Sequence, residues 1–304
     1  AGAKIEMPVG SRVLVRLSER FVRAIVETTV VDPGREYFFN LAPFTFNATS
    51  LAGRMDLGAR LFAEAEADWQ HSHFDQAGTA GFFGYDSRAI RAGLGYDVGS
   101  DVRAVVSYAY EHIPPAPDRE IVETNTHSLL GTLSGTIAPL TTGSVTVGLV
   151  HQTNPVAVGN SRSFDGLTLA GTLRRELGHA SSLDLALTRS SDPSGFETNA
   201  YYLNNSIVAA VTVPAPFQTW ARGSVGWLRN TYPNDASEIG VPRQDDIVAW
   251  TLGLGRQLGW RAWVRADYRK ERRNSNLPGY DVTTDGVIVQ VGVGLFGPAG
   301  GARP

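Results

Sequence analysis

From Met55 to Gln70 the apolar residues fall on every second position: Met55, Leu57, Ala59, Leu61, Ala63, Ala65, Ala67 and Trp69. Between them stand Asp56, Arg60, Glu64, Glu66 and Asp68. Successive side chains of a pleated strand point to opposite faces, so this period predicts a single strand over residues 55–70. The same alternation returns at Val102, Ala104, Val106, Tyr108 and Tyr110, and at Leu183, Leu185 and Leu187. It returns again at Val248, Trp250, Leu252 and Leu254, and at Trp260, Ala262, Val264, Ala266 and Tyr268. No helical period of comparable length occurs. Strands of soluble domains run ~5–6 residues, which is far shorter than these.

The breaks between strands fall into two alternating classes. Short ones are expected at 51–53, 99–100, 139–143, 178–180, 214–216 and 258–259. Longer polar or Pro/Gly-rich ones are expected at 71–81, 114–118, 154–161, 191–195, 232–243 and 274–280, with an early loop at 32–35. These divide the chain into about fourteen strands in an antiparallel meander, with short turns at one end and long loops at the other. A tilted strand crosses hydrocarbon in ~9–11 residues, and every backbone polar group there must be paired, so the sheet has to close. The predicted fold is all-β: a transmembrane antiparallel up-and-down barrel with short periplasmic turns and longer extracellular loops. Residues 1–10 are expected to be a periplasmic segment, 11–297 the outer-membrane barrel and 298–304 a periplasmic tail. A soluble barrel or sandwich also alternates, but its strands are shorter and its polar face is rarely this charged. Trp260 and Tyr268 share the apolar parity at a spacing suited to two aromatic girdles.

Composition narrows the functions without choosing one. The net charge of −3 argues against a nucleic-acid partner. With Cys at 0, disulfides, thiolate metal sites and thiol catalysis are excluded. No stretch approaches the ~18 consecutive apolar residues of a membrane helix. The chain starts at Ala1 without a basic and apolar leader, so a signal peptide, if there was one, is expected to have been removed.

The second half carries a family resemblance. "LRRELGHASSLDLALTRSSD", "YYLNNSIVAAVTV", "TWARGSVGWLRNTYP" and "RQDDIVAWTLGLGRQLGWRAWVRADYRKERRNSNLPGYD" resemble the beta-barrel porin 2 family over residues 160–296. Its most specific pieces are Asp245-Asp246 at a strand start and the loop from Asn274 to Asp281. The resemblance implies an outer-membrane barrel that accompanies exopolysaccharide or capsule export, with periplasmic export proteins as partners. It implies no active site. One departure concerns the final strand: "VIVQVGVGLF" puts Phe296 on the inward parity, and "GPAGGARP" follows where a terminal aromatic is the common assembly signal.

Charges on the inward parity are the candidate chemistry. Asp56, Glu64, Glu66 and Asp68 form an acidic stripe interrupted by Arg60, on the third strand by this count. Arg261, Arg265, Arg269 and Arg273 form a basic stripe on the thirteenth, interrupted by Asp267 and Glu271. Arg103, Arg174 and Arg222 add single inward arginines. Such groups tune permeation through a watery lumen, or pair with one another and fill it. Trp263, Trp220 and Tyr202 are candidate platforms for sugar rings. His71 and His73 share one side of a strand, which metals sometimes need, although imidazoles at a strand end are mostly solvated. His151 falls on the outward parity. "LGLGRQLG" lacks the strand-to-helix context of a phosphate loop.

The reading that follows is a porin-like channel in the bacterial outer membrane, passing a polysaccharide or its fragments, or small polar solutes. The protein is expected to contact outer-membrane lipids and lipopolysaccharide and to need no cofactor or metal. A general uptake porin and a non-conducting structural barrel are alternatives. An outer-membrane lipase or acyltransferase would need a Ser or Asp paired with a His at the rim, and no such pairing is legible.

Overall fold

The structure is a computed structural model that describes residues 2–24, 34–36, 43–74, 84–99, 101–115, 123–155, 157, 159–178, 180–194, 196, 199–258 and 262–293. Its strands are β1 (Gly2–Val9), β2 (Val13–Ala24), β3 (Phe44–Gly58), β4 (Leu61–Phe74) and β5 (Asp86–Val98). Then come β6 (Val102–Ile113), β7 (Thr124–Ala138), β8 (Thr141–Thr153), β9 (Ser163–Gly178) and β10 (Ser181–Pro193). The last five are β11 (Tyr201–Ala215), β12 (Thr219–Asp235), β13 (Pro242–Gln257), β14 (Ala262–Ser275) and β15 (Val282–Val293). All pair antiparallel with their chain neighbours, in the order β1 to β15. The two connection classes are present as expected. Connections after odd-numbered strands are tight, and those after even-numbered strands are longer.

Two expectations change. The extra strand is β1: residues 2–9 do not form a segment outside the sheet but pair along β2, from Gly2 opposite Arg20 to Val9 opposite Val13. Gly2 therefore lies at the long-loop end, not the short-turn end. The second change concerns residues 55–70, which are two strands. β3 runs through the expected break at 51–53, where Gly53 pairs with Val15 and Ala65. The chain turns instead at Ala59 and Arg60, on a Gly58 at φ 127° and an Ala59 at φ 50°. Both angles lie in the left-handed half of backbone space, which extended chain does not visit. The period missed the turn because the register pairs even residues with even, Arg54 with Glu64 and Asp56 with Phe62. Odd residues thus stay on one face through the hairpin, and two strands read as one.

The apolar parity faces outward. Leu94, Val106, Leu129, Leu149, Leu252, Leu254, Val287, Val289 and Val291 are all more than half exposed. Soluble monomers rarely leave an apolar patch above a few hundred Å² open to water, so an exterior this continuous belongs in hydrocarbon. β2–β15 run 12 to 17 residues, enough to cross it at a tilt. The sheet curls around its polar face, since Gly34–Glu36, in the connection after β2, lie against β11, β12 and β14. β1 and β15 are the edges of the ladder among the described residues. With fifteen alternating strands they run in the same direction.

The two faces predict opposite responses to charge. Replacing outward Leu252 or Leu185 by Arg should destabilise the folded protein by ~2–4 kcal/mol near the bilayer midplane. Thr188→Arg, on the polar face, should cost well under half of that. Urea titration in lipid vesicles checks this, and equal losses on both faces would refute the assigned sidedness.

Candidate functional site

At the long-loop end the concave face is filled by an aromatic and charged network. Phe196, Tyr202, Tyr232, Ala236 and Leu277 form a buried cluster against which Ile239 and Tyr280 pack. The Arg243 guanidinium sits 4.3 Å from the Phe196 ring centre, 4.8 Å from that of Tyr232 and 4.2 Å from that of Tyr280. The negative ring faces stabilise the cation there. Arg243 also donates two bonds to Asp245, at 3.0 and 2.7 Å, with both side chains buried. Asp245 accepts a further bond from Ser275 Oγ at 2.7 Å. Arg273 Nε lies 3.8 Å from the same carboxylate. Buried charges are tolerable only when paired and hydrogen-bonded in this way.

Onto this network the segment Gly34–Glu36 is fastened. Gly34 donates its backbone N–H to Tyr202 Oη at 3.0 Å, and Asn230 Nδ2 donates to the Gly34 carbonyl at 2.5 Å. Arg273 Nη2 donates to the carbonyls of Arg35 and of Glu36, the latter at 2.9 Å. Ser194 Oγ donates to Glu36 Oε1 at 2.7 Å, and Arg35 pairs with Glu271. Any side chain on residue 34 would bring its Cβ within 2.2 Å of the Tyr202 ring, so glycine is required. A connection that begins at β2 is thereby held across the lumen against β11, β12 and β14 and against Ser194, just past β10.

Around its circumference the lumen is divided by charge. On β3–β6 the inward acids Asp56, Glu64, Glu66, Asp68, Asp97 and Glu111 outnumber the arginines Arg54, Arg91 and Arg103. Arg54 holds Asp56 at 3.1 Å and Asp97 at 3.0 Å, while Arg91 holds Glu66 at 3.1 Å and Glu64 at 3.9 Å. Arg103 pairs with Asp97 at 3.3 Å, and Ser50 donates to Glu66 at 3.0 Å. On β7–β10 hydroxyls dominate, with Thr132 against Thr146 and Ser144 against Thr172, each at 2.9 Å. Arg174 is paired there with Asp184 at 3.2 Å. On β11–β14 and the fastened segment, Arg35, Arg222, Arg243, Arg265, Arg269 and Arg273 outnumber Glu36, Asp245, Asp267 and Glu271.

The sequence-derived lining set therefore splits. Asp56, Glu64, Glu66, Asp68, Arg103, Arg174, Arg222, Arg265, Asp267 and Arg269 lie on the inward parity. Arg60 does not, because it sits in the exposed turn between β3 and β4. Arg261 and Trp260 are outside the described residues, as are Phe296 and residues 298–304. Trp220 and Trp263 point inward, each ring lying over a glycine of the next strand, Gly255 and Gly292. Tyr202 cannot be a sugar platform in this structure. It is 1% exposed, covered by the segment it holds. Gly34, Glu36, Tyr232 and Arg243 were missed, since only the curl of the sheet brings them together. The inward alternation Arg243-x-Asp245 and Glu271-x-Arg273 was the one local signal.

The outward histidines take other partners. His71 lies 2.8 Å from Asp86 and stacks on Trp69, and His151 lies 2.6 Å from Asp165 on the outer face as expected. No group of three or more His, Asp or Glu suited to a metal occurs among the described residues.

No family model matches the chain, and no curated protein is similar to it. Among solved structures it is similar to the FrpB iron transporter of Neisseria meningitidis (F3-3 variant). The TM-score is 0.49 at 13% identity, over 92% of this chain and 53% of that one. It is similar to a loop-deletion mutant of OmpT, an outer membrane protein of Vibrio cholerae. Here the TM-score is 0.41 at 8% identity, over 96% and 99% of the two chains. It is also similar to the ferric enterobactin receptor PfeA of Pseudomonas aeruginosa (G324V mutant), with a TM-score of 0.42 at 8% identity over 95% and 60%. The chain spans about half the length of FrpB. The likeness is one of strand arrangement.

Breaking the buried pair should be costly. Asp245→Asn leaves Arg243 and Arg273 short of a counter-charge and should destabilise by about 3–5 kcal/mol. Tyr202→Phe removes one hydrogen bond and should cost about 0.5–1.5 kcal/mol. Denaturant titration of the two variants checks the ranking, and a Tyr202→Phe loss as large as that of Asp245→Asn would overturn it.

Proposed function

We propose that this protein is a transport-type barrel of the bacterial outer membrane, its lumen narrowed at the long-loop end by Gly34–Glu36. The carrying observation is the concave face. It carries charges and hydroxyls along its whole length, among buried apolar side chains, while the opposite face is apolar. A low-dielectric wall around such a lining favours water and polar solutes in the lumen and penalises apolar ones. The solute class is hydrophilic: a polysaccharide or its fragments, or small polar molecules. Inward Trp220 and Trp263 support the saccharide, because a flat ring presents an apolar face to a sugar's C–H surface and both sit below the narrowing. Membership of the beta-barrel porin 2 family, and with it export rather than uptake, belongs to the same proposal and rests on the resemblance over residues 160–296.

A second reading, a barrel closed to solutes, is favoured by the filled mouth. Conductance separates the two. Purified protein in planar bilayers should show discrete current steps, and Gly34→Val, which forces the segment off Tyr202, should enlarge them. The absence of steps in both proteins would favour the closed barrel. Because the chain has no native cysteine, Thr188→Cys offers an independent check. A membrane-impermeant thiol reagent should modify it in intact vesicles if the lumen is wet, and no modification would count against the conduit.

A further inference from the structure

Directly beneath the fastened segment lies a cavity of about 270 Å³ on the basic wall, lined by Arg35, Arg222, Arg265, Arg269 and Asp267 with Ser224 and Thr251. Its charges do not balance. Arg265 Nε is 2.6 Å from Asp267 Oδ2, which uses that carboxylate. Arg35 and Arg269 share the single carboxylate of Glu271 at the upper edge. Arg222 has no carboxylate at all: no hydrogen bond or ion pair engages its side chain among the described residues. Of the wall's own arginines, Arg265 takes Asp267 and Arg269 takes Glu271, which leaves Arg222 over, held in place by its strand. Arg222 and Asp267 flank Gly253 in one cross-strand row of β12, β13 and β14, and Thr251 separates Ser224 from Arg269 in the next row. The hydroxyls of Ser224 and Thr251 also carry no side-chain hydrogen bond to described residues.

This arrangement asks for an oxyanion. A guanidinium presents a planar fork of donors that matches carboxylate and phosphate, and the two hydroxyls can donate to the remaining lone pairs. Alternative explanations are weaker. Simple wall-filling would place acids opposite the arginines, as it does on β3–β6, where every inward arginine has a carboxylate. We propose that the cavity is a binding site for the anionic group, carboxylate or phosphate, of a solute passing through the lumen, with Arg222 as its principal unpaired donor. The inference rests on the conduit reading and adds to it the charge of what passes.

The test uses the full chain. In planar bilayers under a salt gradient the wild type should be anion-selective, and citrate or tripolyphosphate should block its current, whereas the neutral sugar raffinose should not. Arg222→Gln should weaken the block about tenfold, the loss expected for one charge-assisted hydrogen-bonding partner, and move the reversal potential towards cations. Arg12→Gln, in the exposed turn before β2, should do neither. Block by citrate alone or by tripolyphosphate alone identifies which oxyanion the site takes. Equal block of wild type and Arg222→Gln, or no block by either anion, overturns the site while leaving the conduit intact. If no current is seen, equilibrium dialysis of the detergent-folded protein against labelled citrate and tripolyphosphate decides. Retention by wild type that Arg222→Gln loses sustains the site without the conduit, and no retention by wild type overturns it. Unchanged heat-modified gel mobility of Arg222→Gln certifies its fold in each arm.

Discussion

Everything in this structure depends on pairing the backbone where no water can reach it. An unpaired N–H or C=O in hydrocarbon costs several kcal/mol, so a chain that crosses with strands must give each of them neighbours on both sides. The meander supplies both neighbours to β2–β14 in chain order and one each to β1 and β15, with tight turns at one end and longer connections at the other. Once the ladder exists, the strand period sends alternate residues to lipid and to the concave side, and the polar parity has nowhere else to go. The charged lumen is thus a consequence of the ladder as much as of any solute.

What the lumen does with those charges differs along its length. At the long-loop end the charges are buried, and the network around Arg243, Asp245 and Arg273 offsets the cost of that burial by pairing them. Rings stack on Arg243, two arginines approach one aspartate, and backbone carbonyls accept from Arg273. The last of these contacts gives the network a second role. Because Arg273 Nη2 donates to the carbonyls of residues 35 and 36, the same arginine that approaches Asp245 also fastens the segment. Nearer the short turns the pairs are more exposed, as at Arg174 with Asp184, and such pairs contribute little to stability. Charge there can serve a solute at small structural cost.

The division into acidic, hydroxyl and basic sectors gives the lumen a field across its width rather than along it. Pairing within each sector reduces that field without cancelling it, since acids exceed arginines on β3–β6 and arginines exceed acids on β11–β14. A solute carrying both a charge and hydroxyls would therefore be oriented as it passes. The inward tryptophans Trp220 and Trp263 stand on the basic side.

Much of this was legible in the chain. The strand class, the sidedness of most strands, the alternation of short and long connections and most of the lining charges follow from a period of two, because that period is a local property of extended backbone. The turn at Ala59 was not legible, since a register that pairs even with even carries the alternation through a hairpin unbroken. β1 was not legible either, because short apolar residues at Ile5, Met7 and Val9 become a strand only when β2 offers them partners. Tyr202 read as a sugar platform, and nothing in its neighbours on the chain could say that residue 34, 168 positions away, would cover it. The fastened segment, the Arg243 cage and the unmatched Arg222 depend on which strands the curl of the sheet brings face to face. Side-chain direction was written in the sequence; the identity of the partner across the lumen was decided only by the closing of space around it.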